Sequence, residues 1–193
     1  KIMNNTKISQ ISIGRFHHFH LARSLHHYAM LDKIFTGYPM FRLKSEQGIP
    51  KSKIKSFPYL QTPYMALIKY FNLPKKNLQK FDYYAPTLLD NYVAKKLHDV
   101  NILIAQERAG LMSGKKIIKN GGIYFCDSGS SHVLYQQELL DDEYKSYNLK
   151  YHKLDNRVVD RVLQEYEISS YISTPSEFTF DSFAKYGLEK KLF

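Results

Sequence analysis

A carboxylate, three hydroxyls and an imidazole fall together in Asp127, Ser128, Ser130, Ser131 and His132. They follow the apolar run Ile123-Tyr124-Phe125-Cys126. That run reads as a buried strand ending in a glycine-containing turn, with a helix starting near Ser131 or His132. A strand, a Gly/Ser turn and a helix place side chains at the carboxyl edge of a sheet and aim free backbone N–H groups into the crevice beyond it. A histidine at such a helix start tends to stay neutral, able to face a ligand hydroxyl or donate to an anion. Its other reading is a residue bonded only to the Asp127 turn. Asp127 can orient His132 or bind ligand hydroxyls, or serve as a plain Asx-turn residue. Ser130 and Ser131 read first as helix caps and second as ligand contacts.

The first strand supplies a second group. Gly14 allows a ligand to approach the backbone closely, and Arg15 can pair with phosphate. His18, in the first turn of the following helix, faces the same crevice. Gln106, Glu107 and Arg108 follow another apolar run, so they stand at the same sheet edge, where one of them, Gln106 or Glu107 first, can bind a ligand hydroxyl. A surface Glu–Arg pair is the competing reading. Five of the eight histidines lie between residues 17 and 27. On a helix, His17, His18, His20, His26 and His27 scatter around the barrel, so no metal site is expected.

The elements that carry these residues alternate. Strands are expected at residues 7–13, 33–36, 53–57, 101–105, 123–126 and 170–173. Helices are expected at 16–31, 81–99, 111–119, from about 131 to 147, and at 154–168 and 177–186. In the first helix Leu21, Ala22, Leu25, Tyr28 and Ala29 form one apolar stripe and should pack on the sheet. Leu89, Val93 and Leu97 recur four apart, as do Leu154, Val158, Val162 and Tyr166. Ser176 can cap the last helix and Gly187 can end it. Strands alternating with helices indicate an α/β fold: a Rossmann-like parallel sheet with helices on both faces, in a single domain over residues 1–193.

The chain has 193 residues, 44% of them hydrophobic, and a net charge of +10. This is enough for one real core, and the charge favours an anionic partner. A single cysteine, Cys126, excludes an internal disulfide and points to a reducing compartment. No apolar run is long enough to span a bilayer. Most of the excess charge sits in residues 44–80, from Lys44 to Lys80, with a net +7. Tyr and Phe are interleaved with these lysines, and Pro58, Pro63 and Pro74 divide the segment into short pieces. An anionic membrane surface is the expected partner of that segment; no nucleic-acid motif is present, so no nucleic acid is expected.

Three stretches together resemble the N-terminal domain of a family-4-type GT-B glycosyltransferase. They are Leu21-Ala22-Arg23-Ser24-Leu25 behind the first strand; Asp127-Ser128-Gly129-Ser130-Ser131-His132 with Gln137, Leu140 and Glu143-Tyr144 behind it; and Glu165-Tyr166-Glu167 followed by Pro175-Ser176-Glu177-Phe178. The departures are Gly14-Arg15, where the family usually has paired glycines, and the lack of the two glutamates eight residues apart that mark the family's nucleotide-sugar domain. The resemblance therefore implies the acceptor-binding half of a retaining, metal-independent glycosyltransferase without cofactors. The nucleotide-sugar donor would be held by a C-terminal domain absent from this chain, and the acceptor would be a glycan or a lipid-linked glycan. It implies His132 and Asp127 as catalytic residues, with Gly14, Arg15, His18, Gln106, Glu107, Ser130 and Ser131 binding substrate. The implied location is cytoplasmic, peripheral at the inner membrane face, and the fragment alone would be inactive. The alternative is a non-catalytic Rossmann-like module binding a nucleotide or another anion; a basic nucleic-acid binder ranks third.

Overall fold

The computed structural model describes residues 6–70 and 75–193. Six strands form one all-parallel sheet: β1 (Ile8–Ser12), β2 (Leu31–Thr36), β3 (Ile54–Ser56), β4 (Ile102–Gln106), β5 (Ile123–Asp127) and β6 (Tyr171–Ser173), in the order β3-β2-β1-β4-β5-β6. The order reverses between β1 and β4, which opens a crevice beyond their carboxyl ends. The helices are α1 (His18–His27), α2 (Gln61–Tyr70), α3 (Lys75–Lys96), α4 (Leu111–Lys119), α5 (Val133–Ser146), α6 (Asn156–Ile168) and α7 (Glu177–Ala184). The α/β, Rossmann-like arrangement expected from the alternation is the one observed.

The two faces are covered unequally. On one face Ile11, Leu103, Ala105, Tyr124, Cys126 and Ile172 lie beneath α3, α4 and α6. There Leu89, Val93, Leu97, Val158, Val162 and Tyr166 are buried, as their spacing predicts. Gly110 and Gly114 let α4 ride directly on Tyr124: a Cβ at Gly114 would stand 2.6 Å from the ring. On the other face α1 covers β1 and β2 through Phe19 and Ala22, packed on Ile34, Ile54, Leu43 and Ile49. Ile104 and Phe125 on this same face stay partly exposed, and Phe125 stacks on Tyr171.

The apolar stripe expected for α1 holds in part: Ala22 is buried and Leu25 packs against the same cluster. Leu21, Tyr28 and Ala29 are exposed, while His18, Phe19 and Ala22 are buried. The helix stops at His27, and Ala29 turns to φ +56°. The charged segment holds one short helix, α2, within a loop, in keeping with its division by prolines. Pro63 sits in the first turn of α2, where its missing N–H costs nothing, and α3 begins at Lys75 rather than at 81. Phe71 and Pro74, and the side chains of Lys75 and Lys76, lie outside the described residues. Gly187 follows α7 at φ +74°, and Ser176 with Thr179 forms a capping box on it.

Candidate functional site

The sheet ends in a polar row. Gln106, Asp127 and Ser173 are consecutive partners across β4, β5 and β6, and Ser12 pairs with Thr36 across β1 and β2. A row of polar side chains at the last strand position faces the crevice, where water or ligand can satisfy it.

Asp127 is the centre of this row. The Ser173 hydroxyl donates to its Oδ1 at 2.5 Å, and Nε2 of His17 lies 2.6 Å from its Oδ2. Nε2 of His18 stands 2.9 Å from the same oxygen, within ion-pair range but off the axis of a hydrogen bond. Burial opposes ionisation of Asp127. The His18, Ser173 and His17 groups outweigh it and hold the carboxyl well below the usual carboxylate range. An ionised carboxylate only accepts, so His17 donates to it through Nε2, and Nδ1 takes no part in the contact. The His17 side chain is 65% exposed, whereas that of His18 is 1% exposed. This places one outward imidazole, held by a carboxylate, at the switch point.

The sequence places His17 only among the five clustered histidines and not among the expected site residues. The scatter predicted for the five histidines holds for His20, His26 and His27 but not for the first two, because α1 starts at His18 and the two rings stack at 4.4 Å over the end of β5. The donor atoms of His17, His18 and Asp127 lie within 4.8 Å of one another, the only cluster among the described residues with the composition of a metal centre. Their mutual contacts already satisfy the carboxylate.

Gly14 lies between β1 and α1, and its carbonyl accepts from the Ser12 hydroxyl at 2.8 Å. Arg15 does not stand free for phosphate: Glu46, buried beneath it, takes both Arg15 at 2.9 Å and Arg23. Arg15, His17, His20, Arg23 and Glu46 line a cleft of about 430 Å³ beside the exposed imidazole. A larger hollow of about 530 Å³, at Lys7, Asp99 and Asn101, lies at the opposite edge of the sheet. Gln106 accepts from the Ile13 N–H at 2.9 Å and ties β4 to the turn after β1. Glu107 accepts from Ser128 at 2.6 Å and from Tyr166 at 2.8 Å. Both side chains thus build the crevice wall, and the Glu107–Arg108 surface pair does not form.

The expected cap of α5 shifts by one residue. His132, not Ser130 or Ser131, is the N-cap, accepting from the Leu134 N–H at 3.3 Å. Ser131 is buried, and the Ser130 carbonyl accepts from Ser128. The His132 imidazole is 2% exposed and stacks on Tyr186 at 4.0 Å, with Tyr166 and Phe183 around it. It is turned into this aromatic cluster rather than onto the crevice surface. Burial lowers its pKa to about 4, against a smaller opposing effect of Glu138. Native His132 therefore stays neutral where the unfolded chain takes up a proton near 6.5. Stability is expected to fall as pH drops from about 6.5 toward 4, and His132→Gln should flatten that limb in a urea titration series. An unchanged limb in the variant would remove His132 as its source.

No family model matches the sequence, and no curated protein matches it. Solved structures do match in fold. One is Glycyrrhiza uralensis UGT73P12 complexed with glycyrrhetinic acid 3-O-monoglucuronide, with a TM-score of 0.56 at 13% identity over 97% of this chain and 48% of that one. The second is a putative UDP-N-acetylglucosamine 2-epimerase from Listeria monocytogenes, with a TM-score of 0.52 at 7% identity over 99% and 45%. The third is the UDP-GlcNAc 2-epimerase of Methanocaldococcus jannaschii, with a TM-score of 0.51 at 13% identity over 97% and 45%. At such identities the likeness establishes the Rossmann-like fold. The chain spans less than half the length of each of these structures.

Proposed function

We propose that this chain is the acceptor-side domain of a GT-B glycosyltransferase that moves a sugar from a nucleotide-sugar donor to a glycan or lipid-linked acceptor. The observation that carries the reading is the exposed His17 imidazole backed by ionised Asp127 at the switch point. Two solved structures of similar fold, a UDP-GlcNAc 2-epimerase and a putative UDP-N-acetylglucosamine 2-epimerase, support it. In this reading an acceptor hydroxyl donates to His17 Nδ1 as its oxygen attacks the anomeric carbon. The bond from that carbon to the donor phosphate breaks, the proton ends on His17, and Asp127 stabilises the imidazolium. His18, packed beneath, fixes the carboxylate. The nucleotide would be held by a second domain, so this domain alone transfers no sugar.

The family-4 resemblance implies retention at the anomeric carbon. The general base at His17 favours a second reading, direct displacement with inversion. Incubation of the native polypeptide with nucleotide sugars and glycan acceptors, followed by NMR of the product anomer, separates the two. Absence of both transfer and donor hydrolysis would overturn the glycosyltransferase reading.

The basic segment supports a peripheral membrane location. α2 buries no side chain, and Tyr59, Met65, Ile68 and Tyr70 are exposed beside Lys69. Among the described residues no helix is long and apolar enough to cross a membrane. The protein is expected to sediment with phosphatidylglycerol vesicles and not with phosphatidylcholine vesicles, and less so at high salt. Equal recovery with both would remove the membrane from the proposal.

A further inference from the structure

Arg108 stands two residues beyond β4 with φ at +79°, a left-handed conformation that a long side chain rarely adopts. Its backbone is clamped on both sides. The N–H of Arg108 donates to Glu165 at 2.8 Å, the N–H of Gly110 donates to the other oxygen of Glu165 at 3.1 Å, and Nε of Arg161 donates to the Arg108 carbonyl at 2.8 Å. Glu165 and Arg161 are buried on α6, and Asp90 of α3 pairs with Arg161 behind them. Strain of this kind persists only where the surroundings over-determine it. Glycine would occupy the position without strain, so what the clamp preserves is an arginine side chain at this place.

That side chain is unengaged. Among the described residues the Arg108 guanidinium has no hydrogen-bond or ion-pair partner; the residue as a whole is half-buried. Arg15 and Arg23 are taken by Glu46, Arg157 by Asp155 and Arg161 by Asp90, while Arg42 is exposed to solvent with only the Phe41 ring beside it. Glu107, its chain neighbour, is committed to Ser128 and Tyr166. The first turn of α4 is no competing anion site, because Asp90 already accepts from the N–H groups of Met112 and Ser113. Burial and the bond to Asp82 push the Tyr64 hydroxyl well above its ordinary range, and Arg108 acts on it in the opposite direction.

We propose that Arg108 is held in its strained conformation to bind a phosphate group of the substrate at the crevice edge. This deepens the sugar-transfer reading, in which phosphate has two sources: the donor diphosphate and a lipid phosphate on the acceptor. A planar guanidinium with free N–H donors suits either, as a bidentate partner to phosphate oxygens.

The test uses calorimetric titration of the native polypeptide and its Arg108→Gly and Arg108→Lys variants with UDP and, separately, with farnesyl phosphate at low salt. Arg108→Gly is expected to melt at or above the wild-type temperature, since glycine takes φ +79° freely. It should bind one of the probes about tenfold or more weakly, with Arg108→Lys in between. Loss of UDP affinity assigns the residue to the donor diphosphate, and loss of farnesyl phosphate affinity assigns it to the acceptor. Unchanged affinity for both probes, no binding of either probe to the wild type, or a melting temperature several degrees lower in the glycine variant would overturn the proposal. Phosphate binding that depends on Arg108 in a protein that transfers no sugar would leave this inference standing and sink only the transferase reading.

Discussion

In the proposed sugar transfer, replacement of His17 by alanine is expected to lower turnover by the native polypeptide about 10²–10⁴-fold, the range a positioned general base contributes. The side chain is 65% exposed and makes no capping bond to α1, so the variant should melt close to the wild type. Asp127→Asn should reduce turnover comparably, because an amide neither fixes the Nε2 proton of His17 nor stabilises the imidazolium. That variant should also lose stability, since Ser173, His17 and His18 all converge on the carboxylate. The measurement is kcat and KM across pH for each variant. A base role predicts that kcat falls with little change in KM in His17→Ala. His132→Gln should retain turnover, since its imidazole is packed among Tyr166, Phe183 and Tyr186. If His17→Ala keeps a third or more of the activity while His132→Gln loses it, the catalytic assignment reverts to the helix-start histidine.

Much of the fold is legible because it is written locally. Leu89, Val93 and Leu97 announce the buried face of α3, and Val158, Val162 and Tyr166 that of α6, because helical periodicity reports which side meets a core. Asp127 was legible as a crevice residue because a buried strand stops there and the chain turns polar. The histidine it holds was not. His17 is 110 positions away, and its partner is set by the strand order, which places the turn after β1 across β4 from the end of β5. The same reason explains why the stripe of α1 holds only in part: the helix turns His18 inward toward Asp127 beside Ala22 and leaves Leu21 and Tyr28 outside, so apolarity alone draws the buried face too wide. His132 was placed correctly at a helix start, but the direction of its ring depends on Tyr166, Phe183 and Tyr186, which local sequence does not reveal. Arg108 was legible as an edge residue. Its backbone strain was not, because the clamp comes from Glu165, 57 positions on.

That clamp yields the largest expected loss of stability. Arg161 joins α6 to α3 through Asp90, and both side chains are buried. Asp90 accepts from Arg161 and from the Met112 and Ser113 N–H groups, while Glu165 accepts from Arg108 and Gly110. Removal of the cation leaves Asp90 without its counter-charge in a site that water does not reach. Arg161→Ala should therefore cost about 3–5 kcal/mol in urea unfolding, the usual consequence of breaking one partner out of a buried pair. The double replacement Arg161→Met with Asp90→Asn should cost less than Arg161→Ala alone, because it removes the uncompensated charge as well as the pair. Burial, reinforced by the Asp90 charge, raises the Glu165 pKa to about 8, with Arg161 as the largest opposing influence. Its folded pKa exceeds the ordinary value of 4.5, so its contribution is intact below about pH 4.5 and is lost as pH rises through about 8. The wild type should lose stability along that limb, Glu165→Gln should flatten it, and Arg161→Ala should shift it to higher pH by removing the cation that favours the carboxylate. A cost under about 1 kcal/mol for Arg161→Ala, or a double variant weaker than the single one, would mean that the strained turn after β4 is held by α4 packing on Tyr124 and not by the charges of α6.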